Sequence, residues 1–323
     1  MKILTYSAVL LALAGPALAE DEISFVTNWG SDFYSSAYMI EWAENFNEAN
    51  KGVAEIRYVG GPEVTPAREQ LTAVRNGVFD MMFGAAGYYV GQVPEAYVLY
   101  ASDMTPMEAR ANGAFDMLAK IYREKANIEI LGWVAAGVGY HIWLNTDDVP
   151  MGDNGLPDLS GLQIRSSPFY NAWLETMGAT VVPVPAPDIY NALERGVVDG
   201  AAWPGLGATE YGWNKFIDYR IDPPVWQFDN LVFVNGDAWD GFSAETQAAL
   251  RASVIELESA AYEHYAGLAA SEAAQVEEAG TTAFKLDGDA SDKYMTNAGS
   301  IMWTTLEKVA PDNYGALREA FTN

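Results

Sequence analysis

The sequence predicts a two-lobed α/β protein with a ligand cleft between the lobes and one long helix bracing them. Three observations carry this. Strand and helix signals alternate through the first two-thirds of the chain, the pattern of parallel-paired sheets covered by helices. Residues 71–80 (LTAVRNGVFD) and 190–199 (YNALERGVVD) share Ala73/Ala192, Gly77/Gly196, Val78/Val197 and Asp80/Asp199, a weak repeat that points to two similar lobes. A helical pattern then runs unbroken from Ala244 to Ala279; at ~1.5 Å per residue it is about 54 Å long, more than one small domain spans.

Taken in order, Ile23–Thr27 reads as a strand and Asp32–Asn50 as a helix, with Ser31 as N-cap and an apolar stripe of Met39, Trp42 and Phe46. Val53–Val59 is the next strand. Ala67–Asn76 is a helix stopped by Gly77, and Val78–Phe83 a strand. In both copies of the repeat a glycine takes the left-handed position after the helix and turns the chain into the sheet. The lobe boundary is expected near Tyr140–Asn145, followed by a loop at Asp147–Ser160. Ser243 caps the long helix and Gly280 ends it, with Leu250, Val254, Leu257, Ala261, Tyr265 and Leu268 at spacings of three and four; two helices split near Gly267 are the alternative. Residues 20–142 plus about 231–275 then form lobe I, and 143–230 plus about 276–323 lobe II, with ligand at the carboxyl ends of the strands.

The chain opens Met1-Lys2, is apolar from Ile3 to Leu18, and offers small residues at Ala17 and Ala19. That is a secretory signal peptide cut after Ala19, and it predicts export to the periplasm. No later stretch approaches the ~18 apolar residues of a membrane span. There is no cysteine, which excludes disulfides, thiolate metal sites, a cysteine nucleophile and a cysteine-borne lipid. Lys+Arg number 18 against 44 Asp+Glu, so losing Lys2 with the leader leaves a net charge of −27. Such a surface repels nucleic acid and anionic lipid. An anionic ligand would need a specific local cation.

Catalytic patterns are missing. No H-E-x-x-H, G-x-S-x-G, Walker or G-x-G-x-x-G motif occurs. His141 and His264 are the only histidines, both read as structural, so no catalytic residue, metal ligand or cofactor is expected. The scarce positive groups are more informative. Arg165 ends the strand Gly161–Arg165, before Ser166-Ser167-Pro168, at the crevice. A buried guanidinium needs an anion, either a protein carboxylate or a ligand carboxylate gripped by the planar fork. Other strand ends supply aromatics: Trp29, Tyr88-Tyr89 after Val78–Phe83, and Trp203 after Val197–Ala202. Aromatic walls with few polar groups suit a small-molecule cleft.

Two segments carry a family resemblance: GPEVTPAREQLTAVRNGVFDMMFGAAGYYVG at Gly61–Gly91 and LSGLQIRSSPFYNAWLETMGATVVPVPAPDIYNALERGVVDGAAWP at Leu159–Pro204. With these the chain resembles the substrate-binding subunits of TRAP (tripartite ATP-independent periplasmic) transporters. The resemblance implies a periplasmic-binding-protein-like fold that closes on a small organic anion, by a hinge near residues 140–145 and 228–232, and docks on TRAP membrane subunits. It implies that Arg165 pairs with the ligand carboxylate, that Trp203 contacts the ligand, and that Tyr88-Tyr89 matches the G-Y-Y element of 2-oxo-acid-type members. Two departures stand out. The second arginine that many members carry in the stretch matching Ala135–Gly139 is absent. Metal-assisted members place an acidic residue beside a tryptophan near Trp226–Asn230, where Gln227 and Asp229 are the candidates here. The rival readings are a periplasmic acid–base enzyme and a ligand-bound partner of a membrane sensor. Ligand identity stays open among keto, hydroxy, aromatic and other monocarboxylates and sulfonates.

Overall fold

The computed structural model describes residues 20–322; the leader and its cut after Ala19 lie outside the described residues. Among the described residues eleven strands form two sheets, one per lobe. They are β1 (Asp21–Thr27), β2 (Ala54–Gly60), β3 (Met81–Ala85), β4 (Ile128–Trp133), β5 (Tyr140–Leu144), β6 (Gln163–Ser166), β7 (Thr180–Pro183), β8 (Gly200–Pro204), β9 (Tyr219–Asp222), β10 (Asn230–Asn235) and β11 (Thr282–Lys285). The first sheet runs β2-β1-β3-β10-β4 and the second β11-β9-β5-β8-β6-β7. In each, one strand from elsewhere in the chain runs antiparallel to all the others: β10 between β3 and β4, and β5 between β8 and β9.

The sequence repeat is a structural repeat. Gly77 and Gly196 have φ of +73° and +65°. The next amide closes the same turn in each copy, Val78 N–H to Ala73 O and Val197 N–H to Ala192 O, both 2.9 Å or shorter. Asp80 then accepts from the backbone N–H of Ser24 on β1, and Asp199 from that of Gln163 on β6, each at 2.8 Å. The carbonyls of the same two aspartates accept from Asn235 and Asn145, which end the antiparallel strands. One aspartate thus ties three neighbouring strands together in each lobe, by its side chain on one side and its carbonyl on the other. The turn also explains why the strands start later than expected: Val78 and Val197 are 62% and 48% exposed and still turning. Trp203 is therefore inside β8 rather than after it.

The helix after β1 spans Tyr34–Ala49 and buries Met39, Trp42 and Phe46, as its apolar spacing requires. Its N-cap is Phe33, not Ser31, because a turn closed by Phe33 N–H on Gly30 O delays the first helical residue. The segment expected as a helix over Ala67–Asn76 is a 3-10 turn at Ala67–Glu69 followed by an α-helix at Gln70–Arg75.

The long helix is continuous from Ala244 to Glu278, so the split near Gly267 does not occur. Ser243 caps it by accepting from Thr246 N–H at 3.1 Å, worth about 1 kcal/mol. Its first half docks on β4 at Gly132, where a Cβ would lie 2.3 Å from Val254 Cγ1. There Glu258 takes the Arg110 guanidinium in two 2.8 Å bonds and Trp133 N–H in a third. Its second half reaches the other lobe: Glu272 accepts from Gly207 and Thr209 N–H at 2.7 and 2.8 Å, and Glu277 from Arg220 on β9. The helix is anchored to both sheets.

The chain crosses between sheets at residues 134–139 and 223–229; β5 has joined the second sheet by Tyr140. The crossings pair with each other, Tyr140 with Val225 in both directions and Phe228 N–H with Val138 O. The helix Gly288–Val309 packs on Val98–Ala101 and Asn171–Thr176, and Pro311–Ala320 packs on Ala114–Ala126.

Candidate functional site

Strand ends of both sheets meet at a cavity of about 870 Å³. On the lobe I side, Asn28 organises the wall. Its amide donates to Gln70 Oε1, Tyr89 OH and Ala67 O at 2.8, 2.7 and 3.2 Å, and its oxygen accepts from Ala85 N–H at 2.9 Å. The amide fits only because residue 84 is glycine: a Cβ there would lie 2.1 Å from Asn28 Oδ1. This network sets Trp29 and Tyr88 at the cavity, with Trp29 stacked on Phe33.

On the lobe II side, Arg165 is 1% exposed. Its Nε donates to Val184 O at 2.9 Å and its Nη1 to Ala202 O at 3.2 Å, while its carbon lies 5.1 Å from the Trp203 ring centroid. Nη2 is buried without a partner. A guanidinium has five N–H donors; both on Nη2 and one on Nη1 remain for an end-on grip. No ion pair joins Arg165 to a carboxylate among the described residues. Burial lowers its pKa, with the Tyr88 and Tyr170 hydroxyls acting the other way. Burial likewise raises the Tyr88 hydroxyl, opposed by Arg165 and then Arg68.

The structure brings Arg165, Tyr88 and Trp29 to the cavity and holds two expected site residues behind it. Trp203 backs the Arg165 guanidinium and donates its indole N–H to Leu206 O at 2.8 Å. Tyr89 turns into the lobe I network, where its hydroxyl donates to Ala67 O. One lining cation escaped the sequence reading. Arg68, on the 3-10 turn after β2, lies 5.4 Å from the Tyr88 ring and donates to Ser167 Oγ across the lobes at 3.4 Å. It lies eight residues past the end of β2, too far along for the strand-end reasoning that picked out Trp29 and Tyr88. Pro62, Pro66, Pro185 and Pro187 complete apolar walls, and Asp32, Glu63, Glu69 and Glu210 bring carboxylates. The lobes also touch at Tyr211, whose ring stacks on Phe33 at 5.0 Å.

The two candidates for a cation beside the ligand do not fit one. Gln227 donates to Ser102 and Met104 carbonyls. Asp229 is buried between Gly87 N–H and the Tyr140 hydroxyl, and neither residue lines the cavity. Among the described residues no cluster of three or more His, Asp or Glu could hold a metal. His141 bonds the Ile221 carbonyl and pairs with Asp222, each at 3.0 Å, as a packing histidine would. His264 is exposed rather than part of the buried stripe, stacked on Tyr38.

Two α/β lobes joined by a paired crossing and enclosing a cavity at their strand ends define a two-lobed solute-binding protein. The chain belongs to the bacterial extracellular solute-binding protein family 7, whose model matches residues 25–304. It is similar to a monocarboxylate 2-oxoacid-binding periplasmic protein of Nostoc, 25% identical over 225 residues, spanning 66% of this chain and 60% of that protein's length. It is also similar to the 2,3-diketo-L-gulonate-binding periplasmic protein of Escherichia coli, 26% identical with 66% and 67% covered. The fold matches a TRAP periplasmic solute-binding protein of Desulfovibrio salexigens with bound orotic acid: TM-score 0.82, 15% identity, 94% and 97% covered. The TRAP resemblance read from Gly61–Gly91 and Leu159–Pro204 is borne out by these matches.

Proposed function

We propose that this protein binds a small organic acid in the periplasm and hands it, chemically unchanged, to TRAP membrane subunits. The observation that carries the reading is Arg165: a buried guanidinium, steered by two backbone carbonyls and an indole, with no carboxylate among the described residues to neutralise it. Leaving a buried charge unpaired is expensive, and an anionic ligand supplies the missing partner. The apolar walls of Trp29, Phe33 and the prolines take the rest of the molecule. Closure turns on the paired crossings at residues 134–139 and 223–229, with the long helix tying the lobes together. The carboxylate ligands named for the curated relatives agree with this. A thermal-shift screen of organic acids tests it, because a ligand of the folded state stabilises by RT ln(1 + [L]/Kd). Acids should raise the melting temperature of the wild type and not of Arg165→Ala. Equal shifts in both proteins would remove Arg165 from the site, and consumption of a bound acid would point to an enzyme.

A further inference from the structure

Two guanidiniums meet at the cavity from opposite lobes. Arg165 belongs to the second sheet, while Arg68 follows β2 of the first. Tyr88 stands between them, with Arg68 over its ring and its hydroxyl in electrostatic reach of Arg165. Arg68 also reaches across the cleft, donating to Ser167 Oγ at 3.4 Å, two residues along the chain from Arg165. Neither Arg68 nor Arg165 forms an ion pair with a carboxylate among the described residues, and of the arginines without such a pair these two line the cavity. In so acidic a chain, partners for both were plentiful.

We infer that Arg68 is a second anion-binding residue, which meets from lobe I the acid that Arg165 holds from lobe II. The inference rests on the reading of Arg165 as the carboxylate anchor and narrows the ligand. With Arg165 on the carboxylate from lobe II, Arg68 meets the same head group from lobe I and selects acids with a further oxygen acceptor beside the carboxylate. The body of the acid is apolar, to match Trp29, Phe33 and the prolines.

The test pairs phenylpyruvate with 3-phenylpropanoate, which keeps the ring and carboxylate and lacks the extra oxygen. Calorimetric titration should show wild type preferring phenylpyruvate by about 10- to 100-fold, the worth of one charge-assisted hydrogen bond. Arg68→Gln should bring that ratio near one, and Arg68→Lys should keep part of it. A ratio kept in Arg68→Gln overturns the binding role, and failure of both acids to bind wild type overturns this ligand class. Loss of phenylpyruvate binding in Arg165→Ala supports the anchor; retention there, with the ratio still lost in Arg68→Gln, fails the anchor alone.

Discussion

The Arg165 guanidinium carbon lies 5.1 Å from the ring centroid of Trp203, on a neighbouring strand of the same sheet. The tryptophan supports the arginine from behind. In the other lobe the matching position is Gly84, since Met81 and Gly200 hold the same register beside β1 and β6. There Asn28 fills the space instead. The two lobes share a frame and diverge where the cavity is lined. Trp203→Phe keeps an aromatic face under the guanidinium and should cost less than about 1 kcal/mol of binding, whereas Trp203→Ala forfeits a cation–π contact of ~2 kcal/mol when desolvated. Removing so large a buried ring should also cost about 3–5 kcal/mol of stability. Titration and urea unfolding of both variants decide it; equal affinity in all three proteins would detach Trp203 from the arginine.

Arg165 itself should separate binding from folding. Taking one partner from a buried charge pair costs ~3–5 kcal/mol, or roughly two to three and a half decades of affinity. Arg165→Ala also strands the Val184 and Ala202 carbonyls, a stability loss of about 1–3 kcal/mol per buried group. Arg165→Lys keeps the charge but cannot serve two carbonyls and a ligand at once, so it too should bind weakly. Calorimetry with one confirmed acid, beside circular-dichroism melting, checks this. Near-equal affinity across the three proteins would refute the anchor.

Much of this architecture was legible because its signals are local. The Ala-x-x-x-Gly-Val-x-Asp repeat marks a helix end, a left-handed turn and a strand, and short-range geometry makes each of them. The long helix was visible through its apolar spacing and its Ser243 cap. Arg165 could be placed because it is a cation at the end of a buried strand. What was not legible depends on partners far away in the chain. Tyr89 faces inward because Asn28, 61 residues earlier, claims its hydroxyl. Trp203 shifted from strand end to strand interior when the turn at Gly196 proved longer. Arg68 sits in a 3-10 turn at the start of the segment read as a helix, and only the approach of Ser167 from the other lobe shows where it points.

Glu272 ties the long helix to the loop after β8. It is 6% exposed, and its two oxygens accept from the amides of Gly207 and Thr209. Hydrogen bonds to a charged group are worth about 1.5–3 kcal/mol each, so Glu272→Ala should lower unfolding stability by roughly 2–4 kcal/mol. Glu272→Gln keeps one acceptor and should lose less. Hydrogen exchange gives the specific signature: the Gly207 and Thr209 amides should exchange faster in both variants while β1 amides do not change. Protection kept at those two amides would mean that the loop holds itself.

Asp229 is a buried carboxylate with no cation paired to it among the described residues. It accepts from Gly87 N–H and the Tyr140 hydroxyl, which link the first lobe to the second. Burial raises its pKa; the Tyr100, Gly87 and Tyr140 contacts pull the other way and do not prevail. The sign of the linkage follows. The folded state holds this proton more tightly than the unfolded chain, whose carboxyl titrates near ~3.9. The resulting stabilisation is complete below that value and is lost as pH rises through the folded pKa. In that window Asp229 makes stability fall by up to ~1.4 kcal/mol per pH unit. Asp229→Asn mimics the protonated side chain: its oxygen can accept from Gly87 N–H, and its amide can donate to a tyrosine oxygen. The variant should match wild type at low pH and become the more stable protein as pH rises. Urea unfolding of both from about pH 4 to pH 8 measures the gap, and because every other carboxylate is common to the two proteins, the difference isolates Asp229. A gap that stays constant with pH would show that Asp229 ionises in the folded protein as freely as in the unfolded chain, and a gap that widens toward acid would reverse the sign.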